Sequence, residues 1–231
     1  MRLRRIILVI SSLAGFAALI LAAAPPVIEE ARTETQQQVA APTPAPSGSA
    51  ANALETIPVK GRAPKTGYAR TQFGNGWATT NGCDTRNIIL HRDLVDPVVE
   101  NTCTVISGTL HDSYTGEDIT FTKANSSDVQ IDHVIALSNA WQTGAQQLTK
   151  EQRKQLANDP LELIAVQGAA NQQKSDGDAA TWLPSNKAFR CEYIARQIAV
   201  KQKYSLWVVA PEKEAMLNVL SACPDQALPV E

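Results

Sequence analysis

The feature that most limits what this chain can fold into is an apolar N-terminal run with four cysteines far downstream of it. Met1-Arg2-Leu3-Arg4-Arg5 is basic, Ile6 to Ala24 is uncharged and apolar, and the run ends in Ala22-Ala23-Ala24. That pattern reads as an export signal over residues 1–24, to be set aside from the fold. Pro25 and Pro26 follow directly, an awkward setting for signal peptidase, and the run approaches the roughly 20 residues that span a bilayer. A membrane anchor through residues 6–24 is therefore the alternative, and the expected location is secreted or extracytoplasmic and anchored. Either route leads to an oxidising compartment, where an even cysteine count points to disulfides. Pairing the cysteines nearest in sequence gives Cys83–Cys103 and Cys191–Cys223, each loop removing roughly 3 to 4 kcal/mol of unfolded-state entropy in a simple chain model. No two cysteines form a CxxC pair, so a zinc cage is not expected.

Residues 25–55 contain Gln36-Gln37-Gln38, Ala41-Pro42-Thr43-Pro44-Ala45-Pro46 and Ser47-Gly48-Ser49. With so few large apolar groups this stretch is expected to be a disordered spacer. One folded domain is left, residues 56–224, with a short tail at 225–231. The net charge of −2 gives no global attraction to polyanions. Any attraction to nucleic acid must be local or come from a bound cation.

Within the domain, Tyr68 to Asp84 reads as loop, and Asp84-Thr85-Arg86-Asn87 as a polar cluster in it. Thr104–Leu110 and Ile119–Thr122 read as a hairpin around Asp112 to Gly116. Val129–Leu137 is a strand candidate. Thr149 and Gln152 have capping-box spacing, and that helix should stop before Asn158-Asp159-Pro160. Leu161–Val166 reads as a short buried strand and Gly168–Lys174 as a short helix. Two longer helices are expected over 186–204 and from Pro211 to about Ala222, stapled by Cys191–Cys223. The fold class is α+β, a small antiparallel sheet with packed helices and two disulfides.

Chemistry concentrates around Val129-Gln130-Ile131-Asp132-His133-Val134 and Asn171-Gln172-Gln173-Lys174-Ser175-Asp176. Alternation along a strand puts Asp132 and His133 on opposite faces. Asn171 and Lys174, three apart, leave one side of a helical turn. An Asp-His strand, a short strand near Leu161-Glu162-Leu163 and an Asn-x-x-Lys helix together resemble the HNH endonuclease pattern, whose unit is the ββα-metal finger. From about Tyr68 through Cys223 the chain is similar to small exported HNH proteins that resemble the C-terminal part of GmrSD restriction endonucleases. Ala140-Trp141-Gln142-Thr143-Gly144 and Thr181-Trp182-Leu183-Pro184 share in that likeness.

The resemblance implies a metal-dependent endonuclease; with no readout module beside the catalytic unit, low sequence specificity is expected, on DNA ahead of RNA, and the protein is expected to be a monomer. It makes His133 the general base, Asp132 and Asn171 the ligands of one divalent metal, Mg²⁺ or Mn²⁺, and Lys174 the cation beside the scissile phosphate. Glu162 stands where the pattern has an Asn that orients the histidine loop. It could instead accept a hydrogen bond from the imidazole or bind metal. Arg86 and Arg70 are candidate phosphate contacts, and Asp176 and Asp178 could reach the metal's surroundings. The helix bearing Lys187, Arg190, Arg196, Lys201 and Lys203 is a candidate backbone-tracking surface. His91 and His111 read as structural or exposed, and Trp77, Trp141, Trp182 and Trp207 as core. The rival outside enzymology is a non-catalytic cell-surface binding module on the same scaffold. A zinc hydrolase has too few nitrogen ligands to draw on.

Overall fold

A strand with water on one side alternates apolar and polar residues, whereas Leu163-Ile164-Ala165-Val166 has no polar residue at all. In the computed structural model, which describes residues 49–229, this run lies between two cores. Leu163 and Ala165 face one core, and Ile164 and Val166 the other, as expected for a strand covered on both faces. The leader, the possible anchor and nearly all of the spacer lie outside the described residues. Among those described, no helix is long and apolar enough to cross a membrane.

The described chain opens with α1 (Ala50–Thr56) and reaches the β1 (Thr79–Thr80) and β2 (Cys83–Asp84) pair through a long segment whose one helical turn is a 3-10 helix at Arg70–Phe73. Then come α2 (Thr85–Asp93), β3 (Leu94–Glu100), β4 (Thr104–His111) and β5 (Asp118–Thr122). β6 (Val129–His133), α3 (Leu137–Gln142), α4 (Lys150–Leu156), β7 (Leu163–Gln167) and α5 (Gly168–Lys174) follow, then α6 (Arg190–Lys203) and α7 (Ala210–Leu220). The class is α+β, but the strands divide into three small antiparallel sheets, β1-β2, β3-β4-β5 and β6-β7, instead of one. Both expected disulfides form, and Cys191–Cys223 ties the start of α6 to the residues after α7.

Several boundaries differ from the sequence expectation, each for a physical reason. The spacer was drawn to residue 55, yet Ala50–Thr56 form a helix capped by Ser49, with Ala50 and Leu54 wholly buried. Two apolar side chains in a short alanine-rich segment suffice once α6 is there to cover them. The tail joins in too, Gln226 O accepting from Ala50 N at 2.7 Å. Asp84 to Asn87 is the start of α2 and no loop, because the Asp84 carboxylate accepts from Asn87 N and caps it. Strand β6 stops at His133, and Leu137 opens a helix. β3 carries a left-handed residue, Asp96, before Pro97, with a register shift there. Such punctuation hides an edge strand from periodicity.

The ββα unit is β6, β7 and α5, with Asp132 opposite Ile164 and His133 opposite Leu163. Gly168 sets where the helix begins. A Cβ there would stand 2.1 Å from Ser127 O, so only glycine lets α5 start against the segment entering β6.

Candidate active site

Alternation at the end of β6 sends Asp132 and His133 in opposite directions, and each meets a different buried environment. Asp132 turns to the larger core, where its carboxylate accepts from Tyr114 Oη at 2.5 Å and pairs with Lys174 Nζ at 3.0 Å. Lys174 Nζ also donates to His133 O at 2.8 Å. The lysine is 2% exposed, so its ammonium is committed to the end of this strand. That corrects the expectation that Lys174 stands beside a scissile phosphate: it supports Asp132 from behind. A position three residues along a seven-residue helix lies about a sixth of a turn from Asn171, enough to carry one side chain to the open side and the other into the core.

His133 is held on two sides. Its ring stacks on Trp77, centroids 5.7 Å apart and planes within 9°. Its Nε2 lies 3.0 Å from Ala157 O. A carbonyl only accepts, so Nε2 carries the proton and Nδ1 keeps the lone pair. Burial lowers the imidazole pKa to about 3, against the opposing pull of the Ala157 carbonyl, and the charges of Arg70 and Lys174 lower it further. The ring is neutral across the physiological range.

Glu162 sits just before β7, wholly buried. It touches neither the imidazole nor the open cavity. Both carboxylate oxygens lie 3.2 Å from Ile135 N, and its backbone oxygen accepts from Val134 N at 2.9 Å. It therefore fastens the turn that follows His133, the positioning task expected of the asparagine it replaces. Burial, its largest influence, raises its pKa well above the ordinary carboxylate value.

These side chains back onto a cavity of about 530 Å³ whose wall includes Asp132, His133, Asn171, Arg70, Arg86 and Asp176. Asn171 donates its amide nitrogen to Gln130 Oε1 at 2.9 Å, which leaves its carbonyl oxygen as the end available to a ligand. Arg86 is spent on the backbone oxygens of Ser126 and Val129, both at 3.1 Å. Arg70 is exposed on the wall, and no described residue takes a hydrogen bond or ion pair from it. Asp176 accepts from Ser138 and Lys65, while Asp178 is bound to Arg62 at 2.5 Å.

A divalent cation would find hard oxygen donors here in the Asp132 carboxylate and the Asn171 amide. Among the described residues no three His, Cys, Asp or Glu side chains converge as a metal cage. That donor set suits an ion that keeps several waters and takes phosphate oxygens, as Mg²⁺ does, and not a closed zinc site.

The basic helix face is only partly a surface, with Lys187 and Lys203 exposed on it. Lys201 is wholly buried against Glu212, Arg190 donates to Pro184 O, and Lys203 pairs with Asp159. His91 is exposed, and His111 pairs with Asp118 on the surface. Of the tryptophans read as core, Trp77 turned out to be a wall of the site. Sequence reasoning also passed over Tyr114, which lies in the turn between β4 and β5 with no local sign that its hydroxyl meets Asp132.

The chain matches the family described as GmrSD restriction endonucleases, C-terminal domain, over residues 85–219. It is 39% identical over 193 residues to an uncharacterized secreted protein of Arthroderma benhamiae, covering 82% of this chain and 92% of that protein. No solved structure matches it.

Proposed function

The chain belongs to the family of GmrSD restriction endonuclease C-terminal domains, and from that premise we propose that it is a secreted phosphodiesterase that hydrolyses nucleic acid, DNA ahead of RNA. The observation that carries the reading is His133: neutral, its tautomer set by Ala157 O, on the wall of a polar cavity shared with Asp132, Asn171 and Arg70. The Arthroderma benhamiae relative is described as a secreted protein, which supports export.

In this reading Nδ1 of His133 takes a proton from a water whose oxygen attacks phosphorus, and the bond from phosphorus to the 3′-oxygen breaks. Trp77 and Ala157 hold the ring so that no reorientation is needed. Arg70 receives the phosphate. As its charge is neutralised, one of the influences that lowers the imidazole's proton affinity is removed and the base strengthens. Asp132 and Asn171 would hold one Mg²⁺ or Mn²⁺, which supplies positive charge beside the phosphoryl oxygens and the leaving oxygen. Lys174 and Tyr114 keep Asp132 in place, and Glu162 keeps the turn after His133 in place.

The test is incubation of the full chain with supercoiled plasmid and with single-stranded circular DNA. Cleavage is expected with Mg²⁺ or Mn²⁺, loss of cleavage with EDTA, and a drop of at least about 100-fold in His133→Ala. A His133→Ala variant as active as wild type would remove the histidine from the mechanism. One observation favours the second reading, a non-catalytic binding module: Asp132 already has a lysine and a phenol as partners. That reading predicts no cleavage under any metal.

A further inference from the structure

The family match begins at Thr85, yet three walls of the cavity, Tyr68, Arg70 and Trp77, come from before it. Residues 57–84 form a strap that walls one side of the cavity at the ββα unit. It is fastened along its length. Lys60 N donates to Val208 O, Ala63 N to Gln142 O, and Ala78 N to Asn158 Oδ1 at 2.8 Å. Phe73 is buried at 2% exposure, Lys65 pairs with Asp176 at 3.0 Å, and Cys83–Cys103 locks the far end. This is a built wall.

The strap's cations divide sharply. Arg62 and Lys65 are spent on Asp178 and Asp176, and Lys60 lies over the Trp207 ring. Arg70 has no such partner among the described residues and is exposed beside His133. A second cavity, of about 150 Å³, adjoins the first, and both are walled by Arg70, Trp77, His133 and Leu137. The histidine and the uncommitted guanidinium thus stand where the two spaces meet, with room on either side. The larger space is the size of a small-molecule site. A space of that size takes a nucleotide or two. Aromatic rings flanking a free arginine are the surface on which an unpaired strand lies: phosphate on the cation, sugar or base along the rings.

We propose that residues 57–84 are a strand-selecting strap that holds one unpaired nucleic-acid strand against the ββα unit, with Arg70 gripping the phosphate next to His133. The inference rests on the nucleic-acid reading above and adds the class of substrate: single strands, or duplexes where they open.

The test is binding, measured in EDTA so that no cleavage is needed. A short fluorescein-labelled DNA strand, alone or annealed to its complement, is titrated with the full chain by anisotropy at several NaCl concentrations. The unpaired strand should bind at least about tenfold tighter than the duplex. Arg70→Met should weaken binding of the unpaired strand roughly tenfold and reduce the slope of log K against log salt by about 0.7, the loss of one phosphate contact. Arg70→Lys should keep that slope, and Lys213→Met, on α7, should bind as wild type does. Equal or tighter binding of duplex, or an Arg70→Met protein that binds like wild type, overturns the strap. Selective strand binding without cleavage of either circular DNA would leave the strap standing and remove the hydrolytic reading alone. Cleavage with no strand preference would do the reverse.

Discussion

Among the described residues two lysines are wholly buried, and they make nearly the same bonds. Lys174 lies 3.0 Å from Asp132 and donates to His133 O at 2.8 Å, while Lys201 lies 3.0 Å from Glu212 and donates to Trp207 O at 2.9 Å. The surroundings differ. Glu212 caps α7, accepting from Val209 N, and is sealed at 1% exposure. Asp132 is bonded by the lysine on both oxygens and by the phenol on Oδ2, but it also forms part of a cavity wall. Buried ion pairs are weak evidence for stability in themselves, because desolvation offsets most of the attraction. What distinguishes these two is whether one member still reaches solvent. The first pair holds a carboxylate at a cavity wall; the second holds a helix.

Breaking either pair by removing its cation should have the largest effect on the protein. Lys174→Met and Lys201→Met each strand a buried carboxylate, and each is expected to cost about 3 to 5 kcal/mol of unfolding free energy. The comparison then separates them. Corrected for the folded fraction, Lys201→Met should retain wild-type cleavage, whereas Lys174→Met should lose it by about 100-fold or more as Asp132 and the end of β6 shift. Urea denaturation and initial cleavage rates on the same preparations decide it. Equal specific activity in the two variants would mean that the Lys174–Asp132 pair is only scaffold.

Acid sharpens the contrast, because a histidine stands beside the first pair. The imidazole's pKa is about 3 in the folded protein against about 6.5 in an unfolded chain. Below 6.5 the unfolded chain binds the proton and the folded one does not, so this group lowers stability as pH falls and has no effect above that value. Its share is up to about 1.4 kcal/mol for each pH unit between 6.5 and 3. In EDTA, His133→Asn should show a flatter acid limb than wild type in urea midpoints taken from about pH 4 to pH 7. Parallel limbs would mean that the ring is not held neutral.

How much of this was legible beforehand follows the same division between local and distant causes. The β4–β5 hairpin, the Thr149–Gln152 capping box, β7 and α5 are written in contiguous residues, and the structure has each of them. The disulfides followed from proximity along the chain. β3 was hidden by Asp96-Pro97, which turns a strand into something that reads as a break. α2 was hidden by a polar first turn whose capping bond only the folded backbone reveals. At the site, Asp132, His133 and Asn171 could be singled out from their motif. The direction of Lys174 could not, since it depends on Tyr114 and Asp132, 18 residues apart in sequence and bonded only through the fold. Trp77 is further still from His133 in the chain, and a tryptophan in a glycine-rich loop carries no local sign of stacking on a buried imidazole.

Glu162 gives the smallest effect and the finest cut. It is another buried carboxyl group close to the first pair, but it has no cation at bonding distance: its oxygens meet only Ile135 N. With its pKa raised by burial, its contribution to stability is complete below about pH 4.3, where the unfolded carboxyl is also protonated. It declines as pH rises toward the folded value, because the unfolded chain releases the proton first. Glu162→Gln cannot ionise, and its amide oxygen can still accept from Ile135 N. The variant should therefore gain on wild type as pH rises from about 5 to 8, with cleavage within a few-fold of wild type. Urea midpoints at the two ends of that range measure the gain. A variant less stable than wild type at both ends would show that the carboxylate is charged and that Lys174 serves two acids at once. The first pair would then be a triad, and its likeness to Lys201–Glu212 would end there.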